Sequence, residues 1–263
     1  MEWNMRIVVI ALLGMTLVLL GCDPREHPDL GRSQKAELLV YSGMTMVKPL
    51  LKLAEIMEEE HDCSVQVTYG GSGHITKSVQ VNQCGDIFFP GDSFYIEQLQ
   101  KQNLVSDIVT VGYNQAALFV QRGNPLHIAP SLNELVDSGY NVVIGNEFSG
   151  AIGRETKAIL GRAGIYDAVI ENVLYMATDS KGLAQALRHQ DADLVINWKA
   201  VASLPENKYV MEILPLPEEL AARHLLKMGV LSYSAHPELA REFLALANSS
   251  RGKKIFSQYG FVD

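Results

Sequence analysis

The chain has 263 residues, 48% hydrophobic and 20% charged, enough for one large domain or two small ones with full cores. Its formal net charge of −8 argues against nucleic acid as a partner, because a phosphate backbone rewards clustered Lys and Arg. An acidic average leaves room for a local anion site built from neutral donors.

The first segment bears on the compartment. Arg6 supplies a positive start, and Ile7 to Leu20 is an apolar run of signal-peptide length, too short for a good transmembrane span. The run ends at Leu19-Leu20-Gly21-Cys22 and turns abruptly polar. That border resembles a bacterial lipobox, which implies cleavage before Cys22 and a lipid on its sulfur; a plain signal peptide or a short anchor is the alternative. Residues 1–21 read as a lipoprotein signal peptide. Residues 22–35, with Pro24, Pro28 and Gly31, read as a tether. The expected location is extracytoplasmic, on the periplasmic face of the inner membrane; Asp23 resembles an inner-membrane retention signal. Cys63 and Cys84 could pair in an exported protein. No Cys-x-x-Cys or histidine cluster accompanies them, so metal is not indicated.

Beyond the tether, strand and helix alternate. "AELLVYSG" (36–43) is a short β-type run, and 46–61 places Leu50, Leu53, Ala54 and Met57 at helical spacing. "SVQVTYGG" (64–71) alternates at period two and stops at glycines. A helix over 74–82, a strand "DIFFP" (86–90) and a helix over 93–102 follow. The long stretch 108–125 is β-rich with little helical period, and reads as one strand or two. A second set comes next: helix 131–138, strand 141–145, helix 153–163, strand 172–176, helix 180–190 and strand 193–198. "YVMEILPLP" and "HLLKMGVLSY" are β-type, and the C-terminus is helical. The first alternating run argues for α/β with a mostly parallel sheet and right-handed crossovers; for the whole chain the expected fold class is α/β with mixed sheets and helices on both faces. The chain is expected to enter a second lobe and return, making a hinged cleft: 36–115 with 218–263 as lobe I, 116–217 as lobe II.

In open α/β sheets, ligands gather beyond the carboxyl ends of strands, where helix N-termini favour anions. Candidate turns are Ser42-Gly43, Gly71-Ser72-Gly73, Ser149 to Gly153, and Asp179 to Gly182, with Asn197-Trp198 at a strand end. "YGGSGHITKS" (69–78) approaches a phosphate-binding P-loop, but Thr76 stands where that motif needs glycine. Taken singly, these turns are ordinary caps and tight turns; together they point to a shared anion site. A serine hydrolase is the weaker reading. Ser72 lacks proper elbow spacing, and neither His189, His224 nor His236 lies in a signature context.

The order of motifs from about residue 37 to 261 resembles the periplasmic molybdate-binding proteins of ABC importers, which are type II solute-binding proteins. The carrying stretches are "LLVYSGMTMVKPLLKLAEIMEEE", "VTYGGSG", "GDIFFPGD", "GAIGRETKAIL", "DADLVINWKAVA" and "HPELAREFLALANSSRGKKIFSQYGF". The resemblance implies a two-lobed fold holding molybdate or tungstate, or a sulfate-like anion, with no cofactor and no catalysis. It implies a monomer that hands its ligand to an ABC permease and ATPase; a sensor or adaptor role is the alternative. It places Ser42, Ser72, Ile152, Ser180 and Trp198 at the ligand. Trp198 stands where the family usually has tyrosine, and Ser42-Gly43-Met44 departs from the usual Ala-Ser-Leu. Asn197 and Arg154 are candidates for extra donors. If neither Asp86 nor Asp92 reaches the anion, the site is expected to reject protonated oxyanions.

Overall fold

A computed structural model describes residues 35–261; the expected signal peptide, Cys22 and all but the last residue of the expected tether lie outside the described residues. Three parallel strands form one flank of the sheet. Strand β1 (Ala36–Gly43) lies between β2 (Cys63–Gly70) and β3 (Ile87–Phe89). The crossovers are α1 (Val47–Glu60) and α2 (Ser72–Asn82), and α3 (Ser93–Gln100) follows β3. Helix α1 buries Leu50, Leu53, Ala54 and Met57, the residues whose spacing marks a helix in the sequence.

Strand β4 (Val105–Gln121) resolves the ambiguous β-rich stretch as one long strand that changes partner midway. Residues Val105 to Gln115 pair antiparallel with β9 (Arg223–Leu231). From Ala116 onward β4 pairs antiparallel with β7 (Leu194–Trp198) and, at Leu118 to Gln121, with β8 (Met211–Leu214). The second flank is completed by β5 (Val142–Gly145) and β6 (Val173–Ala177), parallel to each other, with β5 also parallel to β7. The nine-stranded order is therefore β2-β1-β3-β9-β4-β7-β5-β6, with β8 beside β4. Helices α4 (Ala151–Arg162), α5 (Tyr166–Asn172) and α6 (Ser180–Arg188) belong to the second flank. The helix expected over 131–138 is instead a short 3-10 turn, Leu132–Val136, started by the Ser131 hydroxyl accepting from Asn133 N–H.

Two helices close the chain. Pro237, with its fixed φ and no N–H, opens α7 (Pro237–Asn248), and Ser249 caps α8 (Ser250–Gln258) by accepting from Gly252 N–H. They return to the first flank, where Phe243 and Phe256 share an apolar cluster with Leu50, Leu53, Phe89 and Met228. Phe256 meets Phe89 edge to face at 5.7 Å between centroids. Cys63 and Cys84 are both free thiols, the first buried and the second exposed, so the disulfide left open by the sequence is not formed.

Because Phe256 ties the last helix to β3 and is 1% exposed, Phe256→Ala is expected to destabilise the domain by about 3–5 kcal/mol. Urea unfolding followed by circular dichroism measures this; a loss under 1 kcal/mol would mean that α8 is not part of the cooperative core.

Candidate functional site

The two flanks face each other across the turns that follow β1, β2, β3, β5, β6 and β7. Which of those turns keep free donors depends on their caps. Helices α3 and α6 are capped by carboxylates: Asp92 accepts from Phe94 N–H, and Asp179 accepts from Lys181 and Gly182 N–H. Helices α2 and α4 start differently, with glycine at the N-cap (Gly71 and Gly150) and no capping side chain. The opening N–H groups of an α-helix have no intrahelical acceptor. Those of α4, at Ala151 and Ile152, therefore point into the space between the flanks with the positive end of the helix dipole.

That space is a cavity of about 10 Å³, roughly the least that admits one water. Ser72, Ile152, Ser180 and Trp198 all line it, together with Gly43, Met44, Thr45, Gly91, Ala151 and Asp179. Four of the five ligand residues implied by the sequence are thus brought together from α2, α4, α6 and β7. Ser42 stands behind the wall: it is fully buried, and its hydroxyl donates to Gly43 carbonyl at 2.8 Å. The cavity is met instead by its successors Gly43, Met44 and Thr45, which curl into a 3-10 turn (Met44–Met46) that sequence periodicity does not reveal.

The donors have defined orientations. Ser72 Oγ accepts from Gly91 N–H at 2.9 Å, which leaves the hydroxyl proton to be donated elsewhere. A methyl group placed on Gly91 would stand 3.5 Å from Ser72 Oγ, 3.8 Å from Trp198 Nε1 and 3.3 Å from Ala151 Cβ. Gly91 therefore marks the point on which a hydroxyl, an indole N–H and a helix N-terminus converge. Asn197, 1% exposed, holds two of these parts in place. Its Nδ2 donates to Ser180 carbonyl at 2.9 Å and its Oδ1 accepts from Trp198 N–H at 2.9 Å.

The flanks touch through their backbones. Gly73 and His74 N–H both donate to Ser149 carbonyl, at 3.0 and 3.3 Å. A Cβ on Gly73 would lie 2.2 Å from Phe148 carbonyl oxygen, and one on Gly71 2.2 Å from Ser149 carbonyl oxygen. The glycines of "YGGSG" are required by this close approach across the cleft. Thr45 Oγ1 donates to Ser180 Oγ at 3.3 Å, adding a side-chain contact on the same seam.

Asp86 and Asp92 do not line the cavity. The Asp86 carboxylate accepts from Leu39 N–H and the Ser234 hydroxyl. Asp92 pairs with Arg154, which also stacks 4.4 Å over the Phe94 ring. Arg154 is thus a structural partner of Asp92 and not a cavity donor. Asp179 does line the cavity, a carboxylate that the sequence reading did not weigh, with Oδ1 engaged in capping.

Beside the site lies a charged cluster whose members are far apart in sequence. His224 Nε2 is 2.9 Å from Glu155 Oε2, and Nδ1 is 3.5 Å from Asp92 Oδ2. The Nε2 contact is an ion pair poorly aligned for a hydrogen bond. Arg162 holds the other Glu155 oxygen at 3.0 Å, and the imidazole packs edge to face on Trp198 at 5.7 Å. Burial pulls the imidazole pKa down, but the Glu155 and Asp92 carboxylates outweigh it, so His224 sits above the ordinary histidine value.

A raised folded-state pKa gives stability that is full below the unfolded value of about 6.5 and is lost as pH rises through the folded value. The melting-temperature gap between the native chain and His224→Gln is therefore expected to be largest near pH 5 and to shrink above neutrality. A gap independent of pH would show that folding leaves the His224 pKa unshifted, and a gap that widens as pH rises would show that His224 is held neutral in its pocket.

With this geometry in view, likeness to known proteins is informative. Residues 38–262 match the bacterial extracellular solute-binding protein family. A Haemophilus influenzae protein described only as a binding protein is 27% identical over 87% of this chain and 92% of its own length. The molybdate-binding protein ModA of Mycobacterium tuberculosis is 24% identical over 97% of this chain and 96% of its own. Among solved structures, the periplasmic molybdate-binding protein of Azotobacter vinelandii superposes with a TM-score of 0.73 at 17% identity, covering 86% of this chain and 99% of that one. The sulfate-binding protein SubI of M. tuberculosis gives 0.73 at 15% identity, covering 86% of each chain. The fold is thus the two-lobed type II binding-protein fold, shared by proteins with different ligands. Its family consists of binding proteins rather than enzymes, and this chain belongs to it: it is a bacterial extracellular solute-binding protein.

Proposed function

We propose that this protein captures a tetrahedral oxyanion outside the cytoplasm and presents it to an ABC permease and its ATPase, with molybdate or tungstate as the leading ligands. The observation that carries the reading is the convergence on Gly91 of the Ser72 hydroxyl, the Trp198 indole N–H and the uncapped start of α4. These are neutral donors, and hydrogen bonds from neutral donors to an ionised acceptor are stronger than neutral pairs. Enclosure between the flanks strengthens each of them. The ModA relative supports molybdate; the SubI fold neighbour makes sulfate the second reading. Ser42 acts through the Gly43–Thr45 turn, while Ser72, Ile152, Ser180 and Trp198 face the ligand. The partner change of β4 between Gln115 and Ala116 supports taking 36–115 with 218–263 as one lobe and 116–217 as the other. Lipid on Cys22 would hold the receptor, as a monomer, at the membrane surface beside its permease. Asp179 at the cavity wall weakens the expectation that protonated oxyanions are rejected.

Calorimetry with molybdate, tungstate, sulfate and phosphate tests the reading. Ser72→Ala is expected to weaken binding of the preferred anion by about 1–3 kcal/mol. Gly91→Ala places a methyl at the convergence point, at ordinary contact distance from Ser72 Oγ and Trp198 Nε1 but a tight 3.3 Å from Ala151 Cβ, which must give by a few tenths of an ångström. It is expected to abolish binding with little change in melting temperature. Unchanged affinity in both variants would remove this cavity from the function.

A further inference from the structure

A second, larger cavity of about 180 Å³ adjoins the first and shares Met44, Thr45 and Ser180 with it. The hydrogen-bonded Thr45 and Ser180 hydroxyls form part of the wall common to both. The larger chamber is also built across the seam. Val47, Lys48 and Tyr69 line it from the first flank; Ala184, Val201 and Leu204 line it from the second. Its body is apolar, and its charge is unbalanced toward the positive. Lys48, Lys181 and Arg188 line it against one acid, Glu206. Lys48 is paired with Glu206, and Arg188 donates to the Asn207 side-chain carbonyl. Lys181 makes no ion pair among the described residues, standing one position beyond Ser180, a wall residue of the small cavity.

A bare tetrahedral anion uses nothing of this chamber. We propose that the site also admits substituted oxyanions: a phosphonate or phosphate monoester whose head occupies the small cavity and whose short carbon chain, ending in a second acid group, lies in the adjoining chamber toward Lys181 and Arg188. The inference rests on the oxyanion reading of the small cavity. Apolar walls reward burial of the methylenes, and an unpaired ammonium rewards a terminal carboxylate. A ligand spanning both cavities would touch both flanks twice and so favour their closure.

The test is calorimetry of the full chain in detergent with molybdate, inorganic phosphate, propylphosphonate and 3-phosphonopropionate. The expected order among the last three is 3-phosphonopropionate tightest, propylphosphonate next and phosphate weakest, with at least about a tenfold span. Leu204→Trp, which fills the chamber, should erase that span and leave molybdate affinity within about twofold. Lys181→Ala should remove only the advantage of 3-phosphonopropionate over propylphosphonate. Equal affinity for the three phosphorus ligands, or a span that survives Leu204→Trp, overturns the proposal. If molybdate binds and neither phosphonate surpasses phosphate, this proposal alone falls. If none of the four binds, the oxyanion reading falls with it.

Discussion

Gly73 and Ser149 meet backbone to backbone, with the N–H of one flank donating to the carbonyl of the other at 3.0 Å. Everything at the site depends on that approach. Any side chain at Gly71 or Gly73 would put a carbon 2.2 Å from an opposing carbonyl oxygen. The flanks would then stand apart, and Ser72 would not share a cavity with Ile152, Ser180 and Trp198. The glycines therefore serve the seam first and the ligand second. The contact also spends α2 donors on protein, so Ser72 remains that helix's contribution to the cavity.

The seam is held by groups of different character on its two sides. Near the small cavity the contacts are neutral: Gly73 to Ser149, and Thr45 to Ser180. Farther out they are ionic: Asp92 to Arg154 and His224 to Glu155, each with a buried carboxylate, and the exposed pair Lys48 to Glu206. Buried ion pairs add little net stability once desolvation is counted, but losing one partner leaves an uncompensated charge. Such pairs penalise misregistered closure more than they drive closure. The cavity lining is neutral apart from Asp179, whose Oδ1 is engaged in capping α6.

Much of this was legible in the chain. The β-α alternation up to α3, the amphipathic spacing of Leu50, Leu53 and Met57, and the glycine-turn-helix character of residues 69–78 all follow from local pattern. So does the gathering of Ser72, Ile152, Ser180 and Trp198, because strand-to-helix turns of such a sheet share one edge. What was not legible depends on long-range partners. The expected lobe boundary falls where β4 changes partner, but the identity of those partners leaves no mark in a uniformly β-rich stretch, and a 3-10 turn at Leu132–Val136 has the same apolar spacing as a short α-helix. Ser42 attracted attention as a hydroxyl, yet its carbonyl-bound side chain hands the wall to Gly43–Thr45. The cluster of Asp92, Arg154, Glu155 and His224 joins residues over 130 positions apart and carries no motif. Gly91 could have been found, since "FFPGD" places it at a strand-to-helix turn like the others.

Trp198 offers the most direct reading of the central claim. The chain contains two tryptophans, Trp3 and, in the cavity wall, Trp198, so a chain starting at residue 22 reports from Trp198 alone. Titrating that chain with molybdate while following tryptophan emission should give a saturable change that sulfate or tungstate displaces in competition, and that Gly91→Ala eliminates. Emission unaffected by all of these anions, or a change that persists in Gly91→Ala, would contradict a ligand held between Ser72, Ile152, Ser180 and Trp198.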